Sequence, residues 1–179
     1  MAIDGHNPVK LDMDFIVVNA NNLEQFLNGE IAFSDKMKRQ LLSFIPQSTI
    51  AIVMVRDKEV AGWGFVQKAN LSKYAGYDYM IPKGTHLLKN LFVEPDFRGQ
   101  SIGKDINLAR VNSIPDHILP TVFVVPSNKY AIRNLEMYGF SKQVYVKDYL
   151  WFNKYHKRSL RVIGENDIAK VIISGFKDA

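Results

Sequence analysis

Five times between residues 15 and 125 the chain enters a short stretch dense in β-branched and aromatic side chains: Phe15–Val18, then 50–55, 60–67, 86–93 and 121–125, with a further stretch at 143–147. Stretches of this length, bounded by polar or proline-containing breaks, are strands. A sheet is therefore the element around which everything else must be arranged. The Asp57-Lys58-Glu59 link between the second and third stretches predicts an antiparallel hairpin. Apolar residues recur at helical spacing over 23–33, 35–44, 102–111 and 131–138, with Ser34 placed to cap the second of these, and Pro46 and Pro115 acting as stops.

Residues 68–85, KANLSKYAGYDYMIPKGT, have no clear period and read as an extended loop or irregular insertion. Beyond Tyr149, YLWFNKYH reads as a strand with aromatic faces, and 167–174 as one short helix or strand. The order of elements predicts an α/β (α+β) chain forming one domain over residues 1–179. Its central sheet is mixed and largely antiparallel, and helices flank it.

With 47% hydrophobic and 23% charged residues, the chain has enough apolar material for a real core. It contains no cysteine, which excludes disulfides, thiolate metal sites and cysteine nucleophiles and fits a cytoplasmic setting. No apolar run approaches the roughly 20 residues that span a bilayer, and the opening MAIDGHNPVKLDMD is neither basic nor apolar enough for a secretion signal, so no membrane partner is expected. The histidines at 6, 86, 117 and 156 are too scattered to argue for a metal, and no serine, histidine and aspartate order suggests a hydrolase. Net charge is +5 and uneven: residues 129–161 carry +6, leaving −1 for the rest. That basic segment fits a nucleic acid, an acidic protein or the phosphates of a ligand, or a plain solvated face.

The stretch FVEPDFRGQSIGK, residues 92–104, passes from a strand through a break at Pro95 into a helix. Gly99 and Gly103 permit positive φ or close backbone approach, Arg98 and Lys104 add charge, and the amides opening a helix attract anions. A phosphate-bearing small molecule is the natural guest. The stretch is neither a Walker loop, since its glycine interval is one residue short and Asp105 follows the lysine, nor a GxGxxG fingerprint. A second stretch, TVFVVPSNKYAIRNLEMYGF at 121–140, gives a strand, a Pro-Ser-Asn break, a short helix and a Gly-Phe exit.

Together, LFVEPDFRGQSIGK and VPSNKYAIRNLEMYGF resemble the two signature segments of the GCN5-related N-acetyltransferases, in the expected order and 22 residues apart from Lys104 to Pro126. The resemblance covers 86–140 closely and the earlier order of elements loosely. It implies an acyltransferase that takes acetyl-CoA, or another acyl-CoA, between two splayed strands, 86–93 and 121–125, and passes the acyl group to an amine. It assigns the pantetheine arm to the backbone around Phe92 and Val93. The pyrophosphate falls to Arg98, Gly99, Gln100, Ser101, Ile102, Gly103 and Lys104. Asn128 faces the cofactor, and Arg133 is the candidate for its outer phosphate. No metal is implied.

The sequence departs from the family pattern twice. Ser101 stands where glycine is preferred, and Leu135 stands where many members carry the tyrosine that protonates the departing thiolate. Tyr138, three residues further along the same helix, is the candidate replacement, with Ser127 the weaker one; His86 is the candidate base. Two alternatives stand beside the free amine acceptor. The basic, aromatic stretch YVKDYLWFNKYHKR, with Tyr145, Tyr149, Trp151, Phe152 and Tyr155, suits an amine carried on a nucleic acid. Leu135 suits a non-catalytic acyl-CoA-binding module.

Overall fold

In the computed structural model, residues 1–2, 15–74, 77–151 and 154–176 are described. The sheet expected from the β-branched runs is there: β1 (Phe15–Val18), β2 (Thr49–Arg56), β3 (Glu59–Gln67), β6 (Thr85–Val93) and β7 (Leu119–Val122) lie side by side in the order β1-β2-β3-β6-β7. All neighbours are antiparallel except β6 and β7, which run parallel. β2 and β3 form the expected hairpin. Asp57 and Lys58 make its two-residue turn, both at positive φ (48° and 65°), the backbone that matches strand twist in such turns.

Helices cover both faces of this sheet, which explains why β2 and β3 read as nearly unbroken apolar runs. On one face α2 (Asp35–Phe44) sets Met37 and Leu41, one turn apart, onto Ala51, Val53, Trp63 and Phe65. Its start is fixed by Ser34, whose hydroxyl accepts from the Met37 amide at 3.4 Å. On the other face α3 (Ile102–Asn112) and α4 (Lys129–Met137) bring Ile106, Ala109, Val111 and Leu135 against Ile52, Met54, Val66 and Leu88. This is the α+β architecture expected from the sequence.

Three local expectations need correction. The helix over 23–33 is only α1 (Leu23–Leu27): the chain leaves it at Asn28-Gly29, and Ala32 then exchanges hydrogen bonds with the β2–β3 hairpin, giving its amide to Lys58 and accepting from Val60. Residues 68–85 are not an irregular loop but hold a hairpin of β4 (Leu71–Tyr74) and β5 (Tyr77–Met80). Its inward Tyr79 donates to the Ile172 carbonyl at 3.1 Å and packs on Phe123 and Phe176, both with ring centroids 4.8 Å away. The strands expected at 143–147 and beyond Tyr149 are one hairpin, β8 (Val144–Trp151) with β9 (Lys154–Val162), which pairs with itself rather than with the five-stranded sheet. The 167–174 segment resolves to α5 (Asn166–Ile173). No helix among the described residues is long and apolar enough to cross a membrane.

Two glycines let α3 lie close on the sheet. A Cβ at Gly62 would stand 2.7 Å from the Phe92 carbonyl oxygen and 2.8 Å from the Ile106 side chain; one at Gly64 would stand 2.8 Å from the Arg110 side chain. The Phe92 carbonyl belongs to the paired strand and cannot retreat. Gly62→Ala is therefore expected to lower unfolding free energy by about 2 kcal/mol in urea titration, the cost of overpacking a core.

Candidate functional site

The parallel pair β6–β7 is the place where the sheet opens. Pairing runs from Thr85↔Leu119 to Leu88↔Val122 and stops there, while β6 continues through Val93 without a partner on that side among the described residues. Its other edge bulges at the same point: Trp63 faces Phe92 and Phe65 faces Lys89, so Asn90 and Leu91 together oppose Gly64. Asn90 takes the left-handed conformation this requires, with φ at 49°. Between the diverging strands, with α3 and α4 as walls, lies a cleft of about 440 Å³.

Arg110 closes the floor of that cleft. The residue is 2% exposed, and its guanidinium donates to the Lys89 carbonyl at 3.2 Å and to the Asn107 side-chain oxygen. Burial pulls its pKa down to about 9, which leaves it charged at neutral pH. No carboxylate pairs with it among the described residues.

Where β6 ends, the chain makes a 3₁₀ turn at Pro95–Phe97 and then enters α3. Gly99 and Ser101 are both left-handed, with φ of 81° and 63°. Five successive amides, from Gly99 to Gly103, donate to no protein acceptor among the described residues. Alternating left- and right-handed residues turn consecutive N–H groups into one concavity, and here the concavity coincides with the positive end of α3. A Cβ on Gly103 would meet only Val93 and Leu91, at 3.5 and 3.8 Å, and Leu91 lines the cleft.

Of the expected ligand-binding residues only Asn128 lines the cleft; Phe92, Val93 and the 98–104 turn follow the cleft-lining Leu91 along the chain and are not part of its lining. Phe92 is half-buried against Trp63, ring centroids 4.8 Å apart, and Val93 packs beside Ile102 and Ile106. Arg98 donates to the Val93 carbonyl at 3.3 Å, Gln100 accepts from Arg56 at 3.1 Å, and Lys104 is exposed on the first turn of α3. The Ile102 side chain is buried in the core, leaving only its amide to offer. Asn128 lines the cleft and caps α4, accepting from the Ala131 amide at 3.0 Å. Leu135 also lines the cleft and is 5% exposed.

Other candidates lie elsewhere. Arg133 lines a second cavity, of about 560 Å³, on the opposite side of β7, with Lys129 and Lys142. His86 pairs with Pro120, two residues before the strands part, and does not line the cleft. Burial, with smaller contributions from Lys68 and His117, lowers its pKa, and its Nδ1 has no partner among the described residues. Tyr138 follows α4 as its C-cap; its hydroxyl is buried without a partner among the described residues, and burial, with Asp105 and Tyr130 contributing, raises its pKa. Neither Tyr138 nor the exposed Ser127 lines the cleft. Sequence reasoning missed Lys89, Asn90, Asn107, Arg110, Tyr130 and Asn134, all of which do. Two signals were present: the Lys-Asn pair interrupting the apolar run of β6, and an arginine one turn after Ile106 on the inward stripe of α3.

The basic, aromatic stretch divides between two faces of the β8–β9 hairpin. Tyr145, Lys147, Tyr149, Lys157 and Arg161 point outward and are exposed, while Val146 and Leu160 pack inward. Phe152 lies outside the described residues.

No protein-family profile and no curated protein matches the chain. Solved structures do. A point variant of the BH1408 protein from Bacillus halodurans aligns over 78% of this chain and 100% of its own, at 14% identity and TM-score 0.52. A GNAT-family protein from Novosphingobium aromaticivorans aligns over 79% of this chain and 57% of its own, at 14% identity and TM-score 0.53. An aminoglycoside N-acetyltransferase in complex with CoA aligns more loosely, over 79% and 98%, at 15% identity and TM-score 0.48. The chain has the fold of the GCN5-related N-acetyltransferases.

Proposed function

We propose that this protein is an acyl-CoA-dependent N-acyltransferase, most simply one that moves an acetyl group from acetyl-CoA to a primary amine. The observation that carries this reading is the row of five amides from Gly99 to Gly103 that have no protein acceptor among the described residues, with Gly103 beside the cleft-lining Leu91. An anion nest opening onto a strand edge without a partner suits a ligand with a diphosphate at one end and an amide-bearing arm at the other.

In this reading the amides of residues 99–103 hold the diphosphate, with Arg98 and Lys104 adding charge from the exposed side. The open edge of β6 at Phe92 and Val93 pairs with the arm, and Asn128 presents its free side-chain N–H donors from the opposite wall. Acyl-CoA supplies an activated thioester: the amine nitrogen bonds to the acyl carbon, the carbon–sulfur bond breaks, and the thiol leaves with the proton the amine gives up. The chain supplies position and a fixed polar environment. Tyr138, Ser127 and His86 would act on protons only across an intervening solvent path, since none lines the cleft. Of Tyr130 on α4 and Tyr138 at its C-cap, only Tyr130 lines the cleft.

Calorimetric titration with acetyl-CoA, CoA and a longer acyl-CoA tests the donor directly; absence of binding by all three overturns the reading. Gly103→Glu is expected to weaken acetyl-CoA at least tenfold. Gly103→Ala, which meets only ordinary contacts, should leave binding and fold intact. Turnover lost in Gly103→Glu excludes the purely binding alternative.

A second reading places the amine on a nucleic acid, favoured by Tyr145, Lys147, Tyr149, Lys157 and Arg161 standing together on the outer face of the β8–β9 hairpin. A gel-shift with tRNA and duplex DNA at low salt is expected to show binding that Lys147→Glu and Arg161→Glu together remove; no shift sinks it.

Ser101 is a non-glycine residue at φ 63° without a side-chain hydrogen bond to the helix it precedes. Ser101→Gly is expected to raise stability by about 0.5–1 kcal/mol in urea titration while leaving acetyl-CoA affinity within about twofold.

A further inference from the structure

The face of β6 opposite α3 carries a second set of features that donor binding does not use. Lys89 is the first β6 residue beyond the last β6–β7 pair, so it stands at the throat of the cleft. Its ammonium donates to the Gln67 side-chain oxygen at 3.2 Å and lies 4.1 Å from the Phe44 ring centroid. Gln67 is fully buried, and its amide N–H donors face the carbonyls of Gln47, Ala69 and Leu71 at 3.2–3.4 Å. That arrangement fixes the orientation of the amide and aims its oxygen at Lys89. The ammonium is thus held in one place and has a third donor to spend.

Lys36, Gln40 and Phe44 form one stripe of α2 along the same face. Lys36 sits 3.3 Å from the centroid of Phe92, Gln40 accepts from the Trp63 indole at 2.7 Å, and Phe44 meets Phe65 edge-on at 5.0 Å. Trp63↔Phe92 and Phe65↔Lys89 are pairs two residues apart on β3, so the positions anchoring the two ammonium groups are about 7 Å apart along the strand. Neither lysine is ion-paired among the described residues, and the lining of the cleft contains Lys89 and Arg110 but no acid. A half-buried ammonium with neutral partners has lost water without gaining a counter-charge, and an arriving anion relieves that cost. Burial also lowers the Lys89 pKa, the direction an unpaired cation takes.

We propose that Lys89, oriented by Gln67 and Phe44 and supported by Lys36, binds an anionic group on the acceptor, so that the substrate is a primary amine that also carries a carboxylate or phosphate rather than a polycation. This rests on the acyl-transfer reading, with the donor entering from the α3–α4 side of the open edge and the acceptor meeting it from the α2 side.

The experiment compares four amines with the full-length protein and acetyl-CoA: L-glutamate, O-phosphoethanolamine, L-glutaminamide, which carries no anionic group, and spermidine. Turnover by thiol release should favour an anionic amine over glutaminamide and spermidine by at least tenfold in kcat/KM; which anionic amine leads separates carboxylate from phosphate. Lys89→Met should raise KM for that amine about 10–100-fold and leave KM for acetyl-CoA within twofold, the loss expected of one charge-assisted hydrogen bond. Lys89→Arg, which keeps the charge, should recover most of the affinity and shows that a deficit in Lys89→Met is not misfolding. Preference for spermidine or glutaminamide, or unchanged discrimination in Lys89→Met, overturns the proposal.

Calorimetry separates the two readings. If acetyl-CoA does not bind, acyl transfer fails. The anion site is then judged by titrating glutamate and phosphoethanolamine alone: binding lost in Lys89→Met supports it, and no binding refutes it.

Discussion

The cleft depends on the contact between Arg110 and the bulged backbone of β6. A guanidinium buried without a carboxylate is ordinarily a heavy cost, and a strand with two residues opposing one leaves a carbonyl outside the ladder. Here each defect is met by the other. Arg110 donates to the Lys89 carbonyl beside the bulge, and Asn107, one turn earlier on α3, accepts from the same guanidinium. Gly64 completes the arrangement, because any side chain there would occupy the space of the Arg110 stem. Take away the arginine and the Lys89 carbonyl loses this donor; take away the bulge and the cation loses an acceptor.

One rigid element links this contact to the anion nest. α3 begins at Ile102, beside the free amides, and reaches Arg110 eight residues later, about 12 Å along a helix. The separation between the nest and the bulge is therefore set by helix geometry, and helix packing against Gly62 and Gly64 locks the helix to the sheet. A ligand with its charge in the nest must stretch along the open edge of β6 to bring its far end to Asn90. The bulge also divides the faces of β6: Lys89 belongs with Phe44 and α2, whereas Val93, beyond the extra residue, belongs with Ile102 and α3. Two partners can thus approach one strand edge from opposite sides of the sheet.

The central sheet was legible because its signal is local and strong. β2 and β3 are buried on both faces, and composition alone marks them. The glycine-containing loop was legible for a different reason: Gly99 and Ser101 are small where the backbone turns left-handed. The β4–β5 hairpin was hidden because its inward residue, Tyr79, is one tyrosine among several, and only tertiary contact with Phe123 and Phe176 distinguishes it. α1 ended early because residues beyond Asn28 were recruited by the β2–β3 hairpin, a long-range claim that helical periodicity cannot register. Arg110 and Lys89 were missed for one reason: a charged residue in an apolar pattern reads as an interruption, and nothing in the chain order says which strand carbonyl it will meet.

Net charge by segment does not locate the cations of the cleft. The +6 segment draws the eye, yet its exposed cations stand on the outer face of the β8–β9 hairpin or around the second cavity, where salt screens charge over roughly 8 Å. The cationic residues that line the cleft, Lys89 and Arg110, lie in the part of the chain whose net charge is only −1. Their influence comes from burial, since a charge with little water around it acts through a lower dielectric and has fewer competing partners. Arg110 uses its charge on the backbone and has little left for a ligand. Lys89 is held by a neutral amide and an aromatic ring, so its charge remains available, and it stands where the strands first part. The selectivity of this cleft is accordingly a matter of one half-buried ammonium at the throat rather than of the basic surface outside it.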